Sequence, residues 1–81
     1  MTAQARWHLT YSAETVAEPI VWSLGIEHSL VTNIRRADVR DHVGWVILDV
    51  RGEPEQMEEA RRWLERRGLR VSVLTEDVIP D

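Results

Sequence analysis

The sequence contains no cysteine, no lysine and no phenylalanine. Without cysteine, the chain itself cannot form disulfides, ligate an iron–sulfur cluster or use a thiol as a nucleophile. Without lysine, Schiff-base chemistry on a side-chain amine is excluded. No apolar run approaches the roughly 18 residues of a membrane-spanning helix, and residues 1–6 lack the apolar region of a signal peptide. We therefore expect a cytoplasmic domain without membrane insertion.

The charge balance is acidic. Ten arginines stand against fourteen Asp and Glu in 81 residues, which gives a net charge of −4. An acidic chain is poorly suited to neutralising phosphates, so nucleic-acid binding is not expected. An apolar content of 43% is enough for a core, and this length allows a single domain spanning residues 1–81.

The hydrophobic pattern predicts six elements. Strands are indicated by alternating or β-branched residues and helices by apolar positions at helical spacing. The predicted order is strand 6–11, helix 16–24, strand 30–39, strand 45–51, a second helix beginning after Gly52, and strand 69–74. Pro54 suits the first position of the second helix, whose buried stripe is Met57, Ala60 and Leu64.

The order β-α-β-β-α-β predicts the ferredoxin-like α+β fold. Right-handed crossovers place both helices on one face of a four-stranded antiparallel sheet. Strands one and three are expected at its centre and strands two and four at its edges. The folded core is expected over residues 6–74, with 75–81 as a loose tail.

The open face of that sheet is expected to carry an interface. Trp45 and Ile47 of the third strand alternate away from the core, and His8 of the first strand is expected on the same face. Contiguous apolar surface on a soluble domain usually marks an interaction site. We expect a homo-oligomer or a partner surface here; the alternative is that Val78 and Ile79 of the chain's own tail cover Trp45.

Asn33 is a second conspicuous residue, because it has low strand propensity and lies inside a predicted strand. If it is buried, its amide must satisfy several donors and acceptors. Either a β-bulge or a ligand is then expected to engage it.

The whole pattern over residues 6–74 resembles the NIL domain, a ferredoxin-like module named for an Asn-Ile-Leu motif. NIL domains occur at the C-terminus of the ATPase subunit of bacterial methionine importers and beside some ferredoxins. The matching segments are Glu18-Pro19-Ile20, Asn33-Ile34, Gly44, Gly52, residues 60–64 and residues 68–71.

The resemblance implies a regulatory, non-catalytic module that senses methionine or a related amino acid at or near a dimer interface. Asn33, Ile34 and Arg35 fall at the motif and are the expected ligand-binding residues. Arg35 stands where the motif has Leu, and Arg36 follows it; two guanidinium groups favour an anionic ligand or a carboxylate-bearing partner.

An accessory interaction module is the alternative function. Such a module would have no ligand of its own and would dock on a ferredoxin, a sulfur-transfer enzyme or an ABC transporter in trans. The resemblance implies these partners, and the surface around Trp45 would be the contact.

Enzymatic, metal and RNA-binding functions find little support in the residues. No nucleophile–base pair is recognisable, so no catalytic residue is expected. His8, His28 and His42 lack metal-ligand spacing, and neither a metal nor a cofactor is expected. RNA recognition on such a sheet uses stacking aromatics, and only Trp45 is suitably placed.

Overall fold

A computed structural model gives the fold and describes residues 1–11, 19–40 and 43–79. The elements run β1 (Thr2–Tyr11), α1 (Ile20–Ile26), β2 (Val31–Arg40), β3 (Val43–Gly52), α2 (Pro54–Arg66) and β4 (Arg70–Ile79). All strand pairs are antiparallel, in the order β2-β3-β1-β4. The predicted ferredoxin-like fold is confirmed, with β1 and β3 at the centre.

The core lies between the helices and one face of the sheet. Alternate residues of β1 and β3 point into it, as the alternation predicts; Trp7 and Leu9 are buried, and Leu48 is 0% exposed. Both helices contribute apolar residues to the same cluster. Its members from the helices are Ile20, Leu24, Met57, Ala60 and Leu64.

Helix α1 begins later and ends later than its predicted span of 16–24. Pro19 is the N-cap, and the helix continues through Gly25 to Ile26. Residues 16–18 and the expected Glu18 of the family motif lie outside the described residues. In α2, Pro54 occupies the predicted first position. Gly68, just beyond α2, has a φ of +91°, which a side chain with a Cβ tolerates poorly.

Residues 75–79 are not a loose tail; they continue β4. Thr2 pairs with Ile79 and Ala3 with Val78, so β4 satisfies the backbone of β1 along almost its whole length. Trp45 pairs with Thr10 at the opposite end of β1. The expectation that Val78 and Ile79 cover Trp45 is therefore wrong, because strand pairing carries them to the other end of the sheet.

A β-bulge interrupts β2 at Arg35. Ile34 pairs with Leu48, and Arg36 pairs with Ile47, which leaves Arg35 as the extra residue. Strict alternation would send Ile34 and Ala37 to opposite faces. The bulge restores both to the helix side, so that Ala37 pairs with core-facing Val46.

Within the described residues, no helix is long and apolar enough to span a bilayer.

Candidate functional site

The open face of the sheet presents side chains in rows that cross the strands. Strand register defines four such rows, each read from β2 through β3 and β1 to β4. They are Val31–Arg51–Gln4–Asp77, Asn33–Asp49–Arg6–Thr75, Arg36–Ile47–His8–Ser72 and Asp38–Trp45–Thr10–Arg70. The first two rows are mainly polar, and the last two contain the large apolar side chains.

The members of the first two rows on β2, β3 and β1 line a groove of about 290 Å³ on the surface, which we call the polar groove. Its side chains on the open face are Gln4, Arg6, Val31, Asn33, Asp49 and Arg51. This volume is at the small end of the roughly 300–1,000 Å³ of ligand clefts. The polar groove therefore suits a small molecule of amino-acid size better than a large cofactor.

Asp49 is the electrostatic centre of the polar groove. Arg6 Nε donates a 2.8 Å hydrogen bond to Asp49 Oδ1, and Arg35 donates one of 3.1 Å to Oδ2. The hydrogen bond from Arg6, with the further bond from Arg35, lowers the pKa of the Asp49 carboxyl below its usual value, against an opposing effect of desolvation. The same bond raises the pKa of Arg6. Asp49 is thus ionised at neutral pH, with both oxygens engaged.

Asn33 is exposed and pairs with Asp49 in regular register. Among the described residues its side chain has no hydrogen-bond partner. The bulge lies two residues further on and does not engage Asn33, so the amide is free to donate to one ligand group and to accept from another. An exposed amide beside a carboxylate and several guanidinium groups is well placed to bind a polar small molecule.

Of the three expected ligand residues, the structure brings Asn33 and Arg35 to the polar groove and places Ile34 elsewhere. Asn33 lines the polar groove, and Arg35 donates a hydrogen bond to Asp49, which lines the groove as well. Ile34 pairs with core-facing Leu48, so its side chain is on the helix side. There it is 54% exposed and lines a separate apolar groove with Trp22 of α1. Alternation within the strand makes it impossible for Asn33 and Ile34 to face one ligand from the same side.

Arg51 and Gln4 are groove residues that the sequence analysis did not single out. They pair with one another across β3 and β1 and line the polar groove. Arg51 is exposed and makes no ion pair among the described residues. Arg36, although adjacent to the motif, belongs to the next row beside Ile47. Only the register of β3 against β1 and β2 shows that Arg51 belongs to the polar groove and that Arg36 does not.

The expected interface residues do come together, and we call His8, Trp45 and Ile47 the aromatic patch. The rings of His8 and Trp45 stack with centroids 5.6 Å apart and an interplanar angle of 18°. Ile47 pairs with His8 across β3 and β1. All three are half-buried, and the polar groove continues directly from them on the same face.

The open face is positively charged although the chain is acidic. Register places five arginines and three aspartates on it, and the bulge residue Arg35 joins them through its bond to Asp49, which gives a net charge of +3. The arginines are Arg6, Arg35, Arg36, Arg40, Arg51 and Arg70. Since Asp38, Asp49 and Asp77 are the only acids among the described residues of this face, it attracts anions more strongly than the net charge of the chain suggests.

The histidines form no metal site within the described residues, where no group of three potential ligands converges. His28 packs against Trp63, with ring centroids 5.0 Å apart. His42 lies outside the described residues.

Fold and groove together define a small α+β domain with a polar groove on an uncovered sheet. The family model of the NIL domain matches residues 5–73. The chain therefore belongs to the NIL domain family, as the resemblance predicted.

Solved structures that share the fold include the following two. The C-terminal domain of an ABC transporter ATP-binding protein from Enterococcus faecalis has a TM-score of 0.77 and 18% identity, and the match covers 86% of this chain and 82% of that chain. A de novo designed protein, Foldit4, has a TM-score of 0.62 and 14% identity, with 99% and 100% covered. At such identities the likeness shows the fold alone. None of the curated proteins matches the sequence.

Proposed function

We propose that this chain is a non-catalytic regulatory module that binds methionine or a related amino acid in the polar groove. The observation that carries this proposal is the exposed amide of Asn33, which has no hydrogen-bond partner among the described residues and lies in a groove that also contains guanidinium groups and a carboxylate. An amino acid offers an anion and a cation a short distance apart, and an amide can serve both. Membership of the NIL domain family supports a regulatory role over catalysis.

Regulation would act through the assembly state. The polar groove and the aromatic patch share one face, so a second copy docked on the aromatic patch would lie over the groove. A ligand held between two copies would favour the paired state by its extra contacts there. The similarity to a C-terminal domain of an ABC transporter ATP-binding protein is consistent with a transporter subunit as the regulated partner in trans.

Isothermal titration of L-methionine tests the binding, with D-methionine and L-leucine as controls for stereochemistry and for the thioether. We expect saturable, stereoselective binding that Asn33→Ala abolishes. Gln56→Ala is the matched control, since it removes an amide from α2, away from the groove. Binding that survives Asn33→Ala, or the absence of heat with a folded protein at millimolar ligand, would contradict the proposal.

A second candidate function is an accessory interaction module. The aromatic patch favours it, because a stacked Trp and His beside Ile47 form a continuous apolar surface within a polar face. Tryptophan and arginine are enriched among the residues that dominate binding energy at interfaces, and Arg36 and Arg70 border the patch. A ferredoxin, a sulfur-transfer enzyme or an ABC transporter subunit would then be the partner.

A further inference from the structure

We infer that the ligand of the polar groove carries a net negative charge, as an acidic amino acid or another carboxylate does, and that Arg51 binds its extra carboxylate; this rests on the proposed function. The observation behind it is that the carboxylate of the groove, Asp49, is already paired, whereas Arg51 has no ion-pair partner among the described residues. Methionine is a zwitterion without net charge, so its binding would leave the positive charge of the groove unneutralised.

The carboxylate of the groove is already neutralised. Both Asp49 oxygens accept hydrogen bonds, one from Arg6 at 2.8 Å and the other from Arg35 at 3.1 Å. No other carboxylate lines the groove among the described residues. A ligand ammonium must therefore compete with two guanidinium groups for Asp49, or be held by neutral amides alone.

The cation of the groove is not neutralised. Arg51 lines the groove, is exposed, and has no ion-pair partner among the described residues. Together with Arg6, Arg35 and Asp49 it leaves a local charge of +2. A guanidinium binds a carboxylate through two parallel hydrogen bonds, which makes Arg51 the natural anchor for an anionic group.

Neighbouring amides complete such a site. Gln4 pairs with Arg51 across the strands, and Asn33 pairs with Asp49 in the next row. Their amide N–H groups can donate to the same carboxylate or to a second one, while their oxygens can accept from an ammonium. Val31, 69% exposed, closes the β2 side of the groove with an apolar wall that a short carbon chain would contact.

The positive charge of the open face also affects the association of two copies of this chain. Two open faces with a net charge of +3 each repel when they approach. An anion held in each groove lowers this repulsion, so ligand binding and pairing through this face would be linked, and each would strengthen the other.

Titration of four probes into the full chain tests the inference. They are L-glutamate, glutarate, L-methionine and inorganic phosphate. We expect L-glutamate to bind at least about tenfold more tightly than L-methionine, since even one of the two charge-assisted hydrogen bonds to Arg51 contributes about that factor. We expect Arg51→Gln to abolish this preference and Arg51→Lys to retain part of it. Arg70→Gln is the matched control, because Arg70 is exposed, has no ion-pair partner among the described residues, and lies on the same face where β4 pairs with Thr10, at the other end of β1.

The outcomes separate the inference from the proposed function. L-methionine binding as tightly as L-glutamate would overturn the inference and leave the amino-acid module standing. Glutarate binding without L-glutamate binding would support an anion site and overturn the amino-acid module. Equal losses in Arg51→Gln and Arg70→Gln, or phosphate binding as well as the carboxylates, would indicate diffuse charge attraction and overturn the role of Arg51. No binding of any probe to the folded chain would overturn both.

Discussion

The guanidinium of Arg6 on β1 bonds the carboxylate of Asp49 on β3 directly across the centre of the open face, at 2.8 Å. These two side chains are cross-strand neighbours, so the sheet itself sets their separation. Arg35, which the β-bulge leaves unpaired in the strand ladder, approaches the same carboxylate from the other side. A bulge in an edge strand thereby helps to shape the centre of the groove.

The ion pairs of Asp49 make the free energy of unfolding depend on pH in the acid range. Its native pKa lies below the usual value of 3.8, so its contribution is fully present above that value and is lost as pH falls through the lower native pKa. We expect Asp49→Asn to lower the free energy of unfolding at pH 7 and the difference from the parent to vanish at the acid end. Urea unfolding between pH 7 and pH 2 measures this. Asp77→Asn, on the same face without a guanidinium partner among the described residues, is the control and should lower the free energy of unfolding at pH 7 less than Asp49→Asn does. Parallel curves for Asp49→Asn and the parent over the whole pH range would refute the coupling.

Trp45→Glu should shift the assembly toward monomer while leaving the fold intact. A carboxylate in the aromatic patch would remove the stacking with His8 and introduce a polar group into the contact. Mass in solution by light scattering, with circular dichroism for folding, checks the expectation. Trp22→Glu is the control, because Trp22 is 61% exposed on α1 and outside the open face. An unchanged mass for Trp45→Glu would remove the aromatic patch as an interface.

Asn33→Ala should separate binding from stability. The Asn33 amide is exposed and makes no hydrogen bond among the described residues, so we expect a stability change within about 0.5 kcal/mol, as for other surface substitutions. Chemical denaturation measures it on the same sample that is used for titration. A loss of about 2 kcal/mol or more would show that Asn33 holds the strand rather than a ligand.

Two glycines should respond to alanine in opposite directions. Gly68 has a φ of +91°, and we expect Gly68→Ala to cost roughly 1–2 kcal/mol because of left-handed backbone strain. Gly25 lies in α1, where a Cβ would make only an ordinary 3.6 Å contact with the Leu30 carbonyl oxygen. Gly25→Ala should stabilise by about 0.5–1 kcal/mol. Thermal unfolding of both variants tests the pair, and shifts of the same sign would contradict it.

Much of the architecture could be predicted from local patterns. Alternation in β1 and β3 identified which residues are buried, and Pro54 marked the start of α2. The set of matching segments over residues 6–74, with the motif at Asn33 and Ile34 among them, identified the family. These features depend on backbone sterics and on a period of two or 3.6 residues, which short stretches of sequence already contain.

The groove could not be predicted in the same way. The sequence places Asn33, Ile34 and Arg35 side by side, whereas the sheet separates Ile34 from the other two by alternation. It gives no sign that Arg51 belongs to the groove and Arg36 does not, because that distinction depends on register across three strands. Membership of the groove is a property of paired strands and not of neighbours in the chain.

The sequence by itself determined the order of the elements, the core-facing residues and the family, because periodicity and turn residues act locally. Only the tertiary structure decided that β4 continues to Ile79, away from Trp45, and that the bulge brings Arg35 to Asp49. It also decided that an acidic chain presents a face with a net charge of +3. Long-range strand pairing set each of these, because hydrogen bonding between strands, and not spacing along the chain, selects which side chains meet.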